Sequence, residues 1–118
     1  MANILIADDA AFMRMRSSAL LKELGHDVVE AEDGQQAVDA YKKGGIDAVL
    51  LDITMPVMDG IEALKLILAY DPNAKIAMVT AMGQQQVIME AIKVGAKDFV
   101  VKPFDEERIQ AAMWKLIG

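Results

Sequence analysis

Asp8-Asp9, Asp52, Thr80 and Lys102 each stand just after a short apolar run: Ile4–Ala7, Ala48–Leu51, Ile76–Val79 and Phe99–Val101. Such runs are strand candidates. If the strands are parallel, their carboxyl ends share one edge, where open α/β sheets build their sites. Three carboxylates, a hydroxyl and an ammonium then meet there. A single strand-end Asp is ordinarily a turn or cap residue, but capping does not explain five such groups on one edge. Three close carboxylates repel unless a cation or a proton relieves them. A hard, oxygen-preferring ion such as Mg²⁺ suits them. Zinc prefers nitrogen or sulfur, and the chain has no cysteine and one histidine, His26, read as a surface turn residue. Asp8 and Asp9 are the metal candidates, Asp9 the stronger for direct contact. Metal, Lys102 and Thr80 together can hold the three equatorial oxygens of a phosphoryl group. One carboxylate is then free to act as the nucleophile, and Asp52 is the better candidate because a metal bound by the Asp8-Asp9 pair would lie beside it.

These side chains need a scaffold. With Val28–Ala31 the apolar runs number five, and segments of helical period lie between them. Strands that are continuously apolar and separated by helices indicate a parallel sheet covered on both faces. In the first helical segment Ala10, Met13, Ser17, Leu20 and Leu24 form one face. Gly25, Gly44 and Gly95 end three helical patterns, because glycine takes the left-handed conformation cheaply. Asp105 caps the last helix, with Glu106 and Glu107 suiting its positive end. The fourth helix begins near Gln84, with Val87, Ala91 and Val94 inward. Ile88 and Ile92 form a second apolar line on a partly exposed side, beside Phe99. The last helix turns Ile109, Met113, Leu116 and Ile117 inward, leaving Trp114 half-buried one residue off that face. Met13 belongs to the core, and Met55, Met58 and Met82 are adaptable packing near the site.

The chain has 118 residues, with 54% hydrophobic, 25% charged and a net charge of −6. That is the length and balance of one globular domain, expected to span residues 1–118 with no appended output or DNA-binding domain. Lys and Arg total 12 against 18 Asp and Glu, which argues against nucleic-acid binding as the main task. No apolar run approaches the ~20 residues of a membrane span, and no signal peptide opens the chain. The expectation is a soluble, cytoplasmic monomer.

The set resembles the bacterial receiver domain, the phosphoacceptor module of two-component signalling. Asp8-Asp9, Asp52, Thr80 and Lys102-Pro103-Phe104 match the family's motif in order and spacing, and Met55-Pro56-Val57-Met58-Asp59-Gly60 matches the loop after the phosphorylated Asp. The resemblance covers essentially all 118 residues. It implies a flavodoxin-like (βα)5 fold with strand order 2-1-3-4-5. It also implies Mg²⁺ on Asp8, Asp9, Asp52 and the backbone carbonyl of Thr54, phosphorylation of Asp52, and a cis bond at Lys102-Pro103. Asp9-Ala10-Ala11-Phe12-Met13-Arg14 and Ala81-Met82-Gly83-Gln84-Gln85 are similar to single-domain chemotaxis regulators of Gram-positive and thermophilic bacteria. The partners so implied are a histidine kinase, a flagellar-switch protein docking near Ile88, Ile92 and Phe99, and a phosphatase. The chain would be an acceptor rather than an enzyme. Thr80 and Phe99 are the switch pair, with one departure: Phe99 stands where the best-studied members carry tyrosine, so it has no hydroxyl to bond in either rotamer.

Three rival readings are weaker. A haloacid-dehalogenase phosphatase needs a general acid two residues after its nucleophile, where this chain has Thr54. A nucleotide or flavin carrier needs a glycine- or hydroxyl-rich loop after the first strand; here the segment is Asp8-Asp9-Ala10-Ala11-Phe12. A receiver cut from a DNA-binding regulator shares the same site, but not the chemotaxis-like segments.

Overall fold

The computed structural model describes residues 2–81 and 84–118. Strands and helices alternate: β1 (Asn3–Ala7), α1 (Ala11–Glu23), β2 (Asp27–Ala31), α2 (Gly34–Lys42), β3 (Ala48–Asp52), α3 (Gly60–Tyr70), β4 (Ile76–Thr80), α4 (Gln85–Val94), β5 (Asp98–Val101) and α5 (Glu106–Ile117). All pairings are parallel, in the order β2-β1-β3-β4-β5. This is the expected doubly wound fold. Period-two alternation splits the core between the two faces. Leu5, Ala7, Val49 and Leu51 join α2, α3 and α4, whereas Ile4, Ile6, Ala48 and Leu50 join α1 and α5. Because strand order reverses between β1 and β3, their ends border the crevice where ligands bind in such folds.

Local chemistry sets the helix boundaries. The carboxylates of Asp33, Asp59 and Asp105 accept from the N–H groups of Gln36, Glu62 and Arg108 at 2.8, 2.9 and 2.9 Å, capping α2, α3 and α5. Gly25, Gly44 and Gly95 take positive φ beyond α1, α2 and α4. Several sequence expectations shift. On α1 the fully buried anchor is Leu21, while Leu20, Leu24 and Met13 are half-buried against it. Ser18 is buried beside the expected Ser17, so the inner face is wider than the expected line and takes in Ser18 and Leu21. β2 is an edge strand with Val29 and Glu30 exposed, rather than a strand covered on both faces. Trp114 is 75% exposed, not half-buried. Met55 is buried and Met58 packs on the core; Met82 falls outside the described residues.

Candidate functional site

β1 delivers Asp8 and Asp9, β3 ends at Asp52 and β4 ends at Thr80, all at the carboxyl edge. Lys102 follows β5, and its peptide bond to Pro103 is cis, as expected. Asp8, Asp52 and Thr80 are buried, while Asp9 is exposed. Each of the three aspartates offers a carboxylate oxygen, and these oxygens lie within 4.8 Å of one another.

Lys102 occupies the centre of this group. Its Nζ donates to Oδ2 of Asp52 at 2.9 Å and lies 2.9 Å from Oδ2 of Asp8. The other Asp8 oxygen accepts the Ala10 N–H at 2.8 Å, and Oδ1 of Asp52 accepts the Thr54 N–H at 3.3 Å. Burial, the largest influence, pushes the Asp52 carboxyl up, and the Asp8 charge adds to this; Lys102 and the Thr54 N–H oppose it, and the net direction is upward. For Lys102 burial disfavours the charge, but hydrogen bonds to Asp8 and Asp52 outweigh it and raise its pKa. The ammonium therefore stays charged at neutral pH.

Two glycines let the backbone close around the site. A Cβ on Gly60 would lie 2.0 Å from the Asp52 carbonyl oxygen, and one on Gly34 would lie 2.2 Å from that of Met58. The Gly60 N–H donates to the Ile53 carbonyl at 2.8 Å. The first turn of α3 thus packs directly on the strand end that carries Asp52. Between them, Val57 takes φ 68°, and Met58 N–H closes a three-residue turn onto the Pro56 carbonyl at 2.7 Å.

Two residues that the sequence placed only within chemotaxis-like segments make contacts in this neighbourhood that it did not assign. Arg14 on α1 donates to the Asp8 carbonyl at 2.8 Å and pairs with Glu30 at 3.4 Å, fixing the Asp8-Asp9 turn. Gln84 accepts the Thr80 hydroxyl and the Ala81 N–H, the latter at 3.0 Å. Arg14 sits at helical spacing from the acidic pair, a faint signal; a glutamine before a helix carries none. Ile88 is half-buried against the core, whereas Met89 and Ile92 on α4 are exposed and Phe99 is 37% exposed. Arg108 on α5 donates to the Phe99 carbonyl and pairs with buried Asp98 at 3.3 Å, tying α5 to the β5 edge.

Oxygen donors without nitrogen or sulfur, set around one cation position, fit a hard divalent ion. Residues 4–113 match the response regulator receiver domain family, and the chain belongs to that family. It is similar to the chemotaxis protein CheY of Bacillus subtilis, at 54% identity over 116 residues, covering 98% of this chain and 97% of the relative. It is also 50% identical over 119 residues to Protein CcdB of Bacillus subtilis, covering 100% of this chain and 99% of that one. Among solved structures, the CheX-CheY-BeF3-Mg+2 complex from Borrelia burgdorferi matches with a TM-score of 0.92 and 37% identity, over 99% of this chain and 90% of that one. The chain is thus a CheY-like receiver. No helix among the described residues is long and apolar enough to cross a membrane.

Proposed function

We propose that the protein accepts a phosphoryl group on Asp52 from a histidine kinase and carries the signal to the flagellar switch. The observation that supports this most strongly is the bridge of Lys102 between Asp8 and Asp52, with Asp9 at the same edge. A carboxylate oxygen of Asp52 attacks phosphorus. The new bond is an acyl phosphate O–P bond, the donor's N–P bond breaks, and the released imidazole takes up a proton. Lys102 is charged and close enough to stabilise the transferring oxygens, and the Thr80 hydroxyl donates to a third. Asp8, Asp9, Asp52 and the Thr54 carbonyl would hold Mg²⁺, which supplies positive charge against the phosphoryl oxygens. The chain turns over no substrate of its own beyond this acceptance and the slow hydrolysis of the acyl phosphate, in which water takes the phosphoryl group as inorganic phosphate and the Asp52 carboxylate is restored.

The output surface is the α4–β5–α5 face, with Ile88, Met89, Ile92 and Phe99. Movement of Thr80 toward the phosphoryl group leaves room for the Phe99 ring, so two packings exchange population. A phosphatase that ends the signal, a cytoplasmic location and a monomeric state complete the proposal. The Borrelia relative, solved with CheX, BeF3 and Mg²⁺, supports the ion and the existence of a protein partner. Borohydride reduction of the phosphorylated protein converts an aspartyl phosphate to homoserine, and peptide mapping should find it at position 52. Homoserine at another position would overturn the assignment. A flagellar-switch peptide should bind more tightly with beryllofluoride present and lose that gain in Ile88→Asp or Ile92→Asp; equal affinity in both states would place the output elsewhere.

A further inference from the structure

We propose that Gln84 is a positioning residue that holds the Thr80 hydroxyl in the unphosphorylated state and links it to the first turn of α4. The inference rests on the reading of Asp52 as phosphoacceptor and Thr80 as hydroxyl donor. Thr80 is 0% exposed, so its hydroxyl must find its partner inside the protein. It has a single proton to give, and two acceptors lie within reach: Oε1 of Gln84, the nearer, and the Ala81 carbonyl at 3.0 Å. While the bond to Gln84 stands, the proton is withheld from a phosphoryl oxygen. The same Oε1 accepts the Ala81 N–H at 3.0 Å, so the amide is pinned to the β4 exit at two points.

Gln84 also occupies the N-cap of α4, where its side chain makes no bond to the helix's own free N–H groups. Its carbonyl accepts the Ile88 N–H at 3.0 Å, beginning the helical ladder. One residue therefore grips the strand exit with its side chain and the helix with its backbone. Donation by Thr80 to a phosphoryl oxygen removes one of the two side-chain holds, leaving Gln84 attached to the strand exit by the Ala81 N–H alone and loosening the first turn of α4. Met89 and Ile92 lie on the turns that follow, and both are exposed. Phe99 has no hydroxyl through which to sense Thr80 by hydrogen bonding, so among the described residues Gln84 offers a polar connection from the Thr80 hydroxyl to α4.

The test is beryllofluoride binding in the presence of Mg²⁺, followed by fluorine NMR on the full chain. Both Gln84→Ala and Gln84→Met should bind about threefold more tightly than wild type, because the bond to Gln84 no longer has to be broken and the contact with the Ala81 carbonyl that remains holds the proton less firmly. Neither should unfold the site: in Gln84→Ala the Thr80 hydroxyl still reaches the Ala81 carbonyl at 3.0 Å, and methionine keeps the side-chain volume. On a Thr80→Ala background, Gln84→Ala should change affinity by less than about twofold, because the bond it removes is already gone. Unchanged or weaker binding in both single variants overturns the role of Gln84, as does an undiminished gain without the Thr80 hydroxyl. Wild type that fails to bind beryllofluoride with Mg²⁺ overturns the phosphoacceptor reading and the Gln84 inference together.

Discussion

Lys102 Nζ and Asp52 Oδ2 stand 2.9 Å apart, in a site where the same ammonium also meets Asp8. The protein therefore places its own cation among carboxylates that a divalent ion would share. In the proposed reaction lysine and metal would hold the phosphoryl group together, but in the resting site they would compete for the same carboxylates. Lys102→Met should consequently bind Mg²⁺ more tightly, by about tenfold for the loss of one close like charge. It should also lose phosphoryl uptake by about a hundredfold or more, since one donor to the transferring oxygens is gone. Isothermal titration and intact mass read the two effects separately. Weaker Mg²⁺ binding in the variant would contradict the competition.

The upward-shifted Asp52 carboxyl gives a pH prediction. A carboxyl whose folded pKa exceeds its unfolded one favours the protonated folded state. Stability from this group is therefore full below the unfolded value and is lost as pH rises through the folded value, with no further change above it. Asp52→Asn removes that loss. Without Mg²⁺ the variant should melt a few degrees above wild type at neutral pH, with the gap closing as pH falls through the carboxyl range. Millimolar Mg²⁺ should raise the melting temperature of wild type but barely that of the variant. A variant less stable than wild type at neutral pH would show that Asp52 is net stabilised by its surroundings.

Gly60→Ala tests the contact between α3 and the end of β3. The added carbon would meet the Asp52 carbonyl oxygen at 2.0 Å, a backbone atom that cannot move without moving Asp52. Stability should fall by about 2–3 kcal/mol, as for other overpacked sites, and phosphoryl uptake should fall with it. Denaturant unfolding checks the first and intact mass the second. An unperturbed variant would mean the strand end is softer than its packing indicates.

Val57 is 83% exposed and takes φ 68°, a conformation costly for a β-branched residue. Val57→Asn should stabilise the protein by about 1 kcal/mol, because asparagine tolerates this region and almost no packing is lost. A chemical denaturation midpoint at or below that of wild type would count against strain at this turn.

Much of the scaffold was legible because its signals are local. Five apolar runs marked five strands to within one residue at each end; for the buried strands β1, β3 and β4 this is because no polar face interrupts them. Asp8, Asp9, Asp52, Thr80 and Lys102 were legible because each ends or follows a strand, and parallel topology fixes where strand ends go. Side-chain reach was not. That Gln84 turns back to Thr80, or that Arg14 holds the Asp8 carbonyl, depends on loop paths that residue type does not encode. The inner face of α1 proved wider than expected, adding Ser18 and Leu21 to Met13, Ser17, Leu20 and Leu24, and a small polar residue such as Ser18 carries little hydrophobic signal. The exposed edge of β2 followed from strand order, which for the sequence reading came only from family resemblance.

The central claim is that Asp52 is the phosphoacceptor. Intact mass spectrometry after incubation with acetyl phosphate and Mg²⁺ tests it most directly, on wild type and Asp52→Asn side by side. Wild type should gain one phosphoryl group, lose it slowly once the donor is removed, and gain none when Mg²⁺ is chelated. Asp52→Asn should gain none under any of these conditions, because an amide is a poor nucleophile. Equal labelling of the two proteins, or a wild type that stays unlabelled with donor and Mg²⁺ present, would contradict the account.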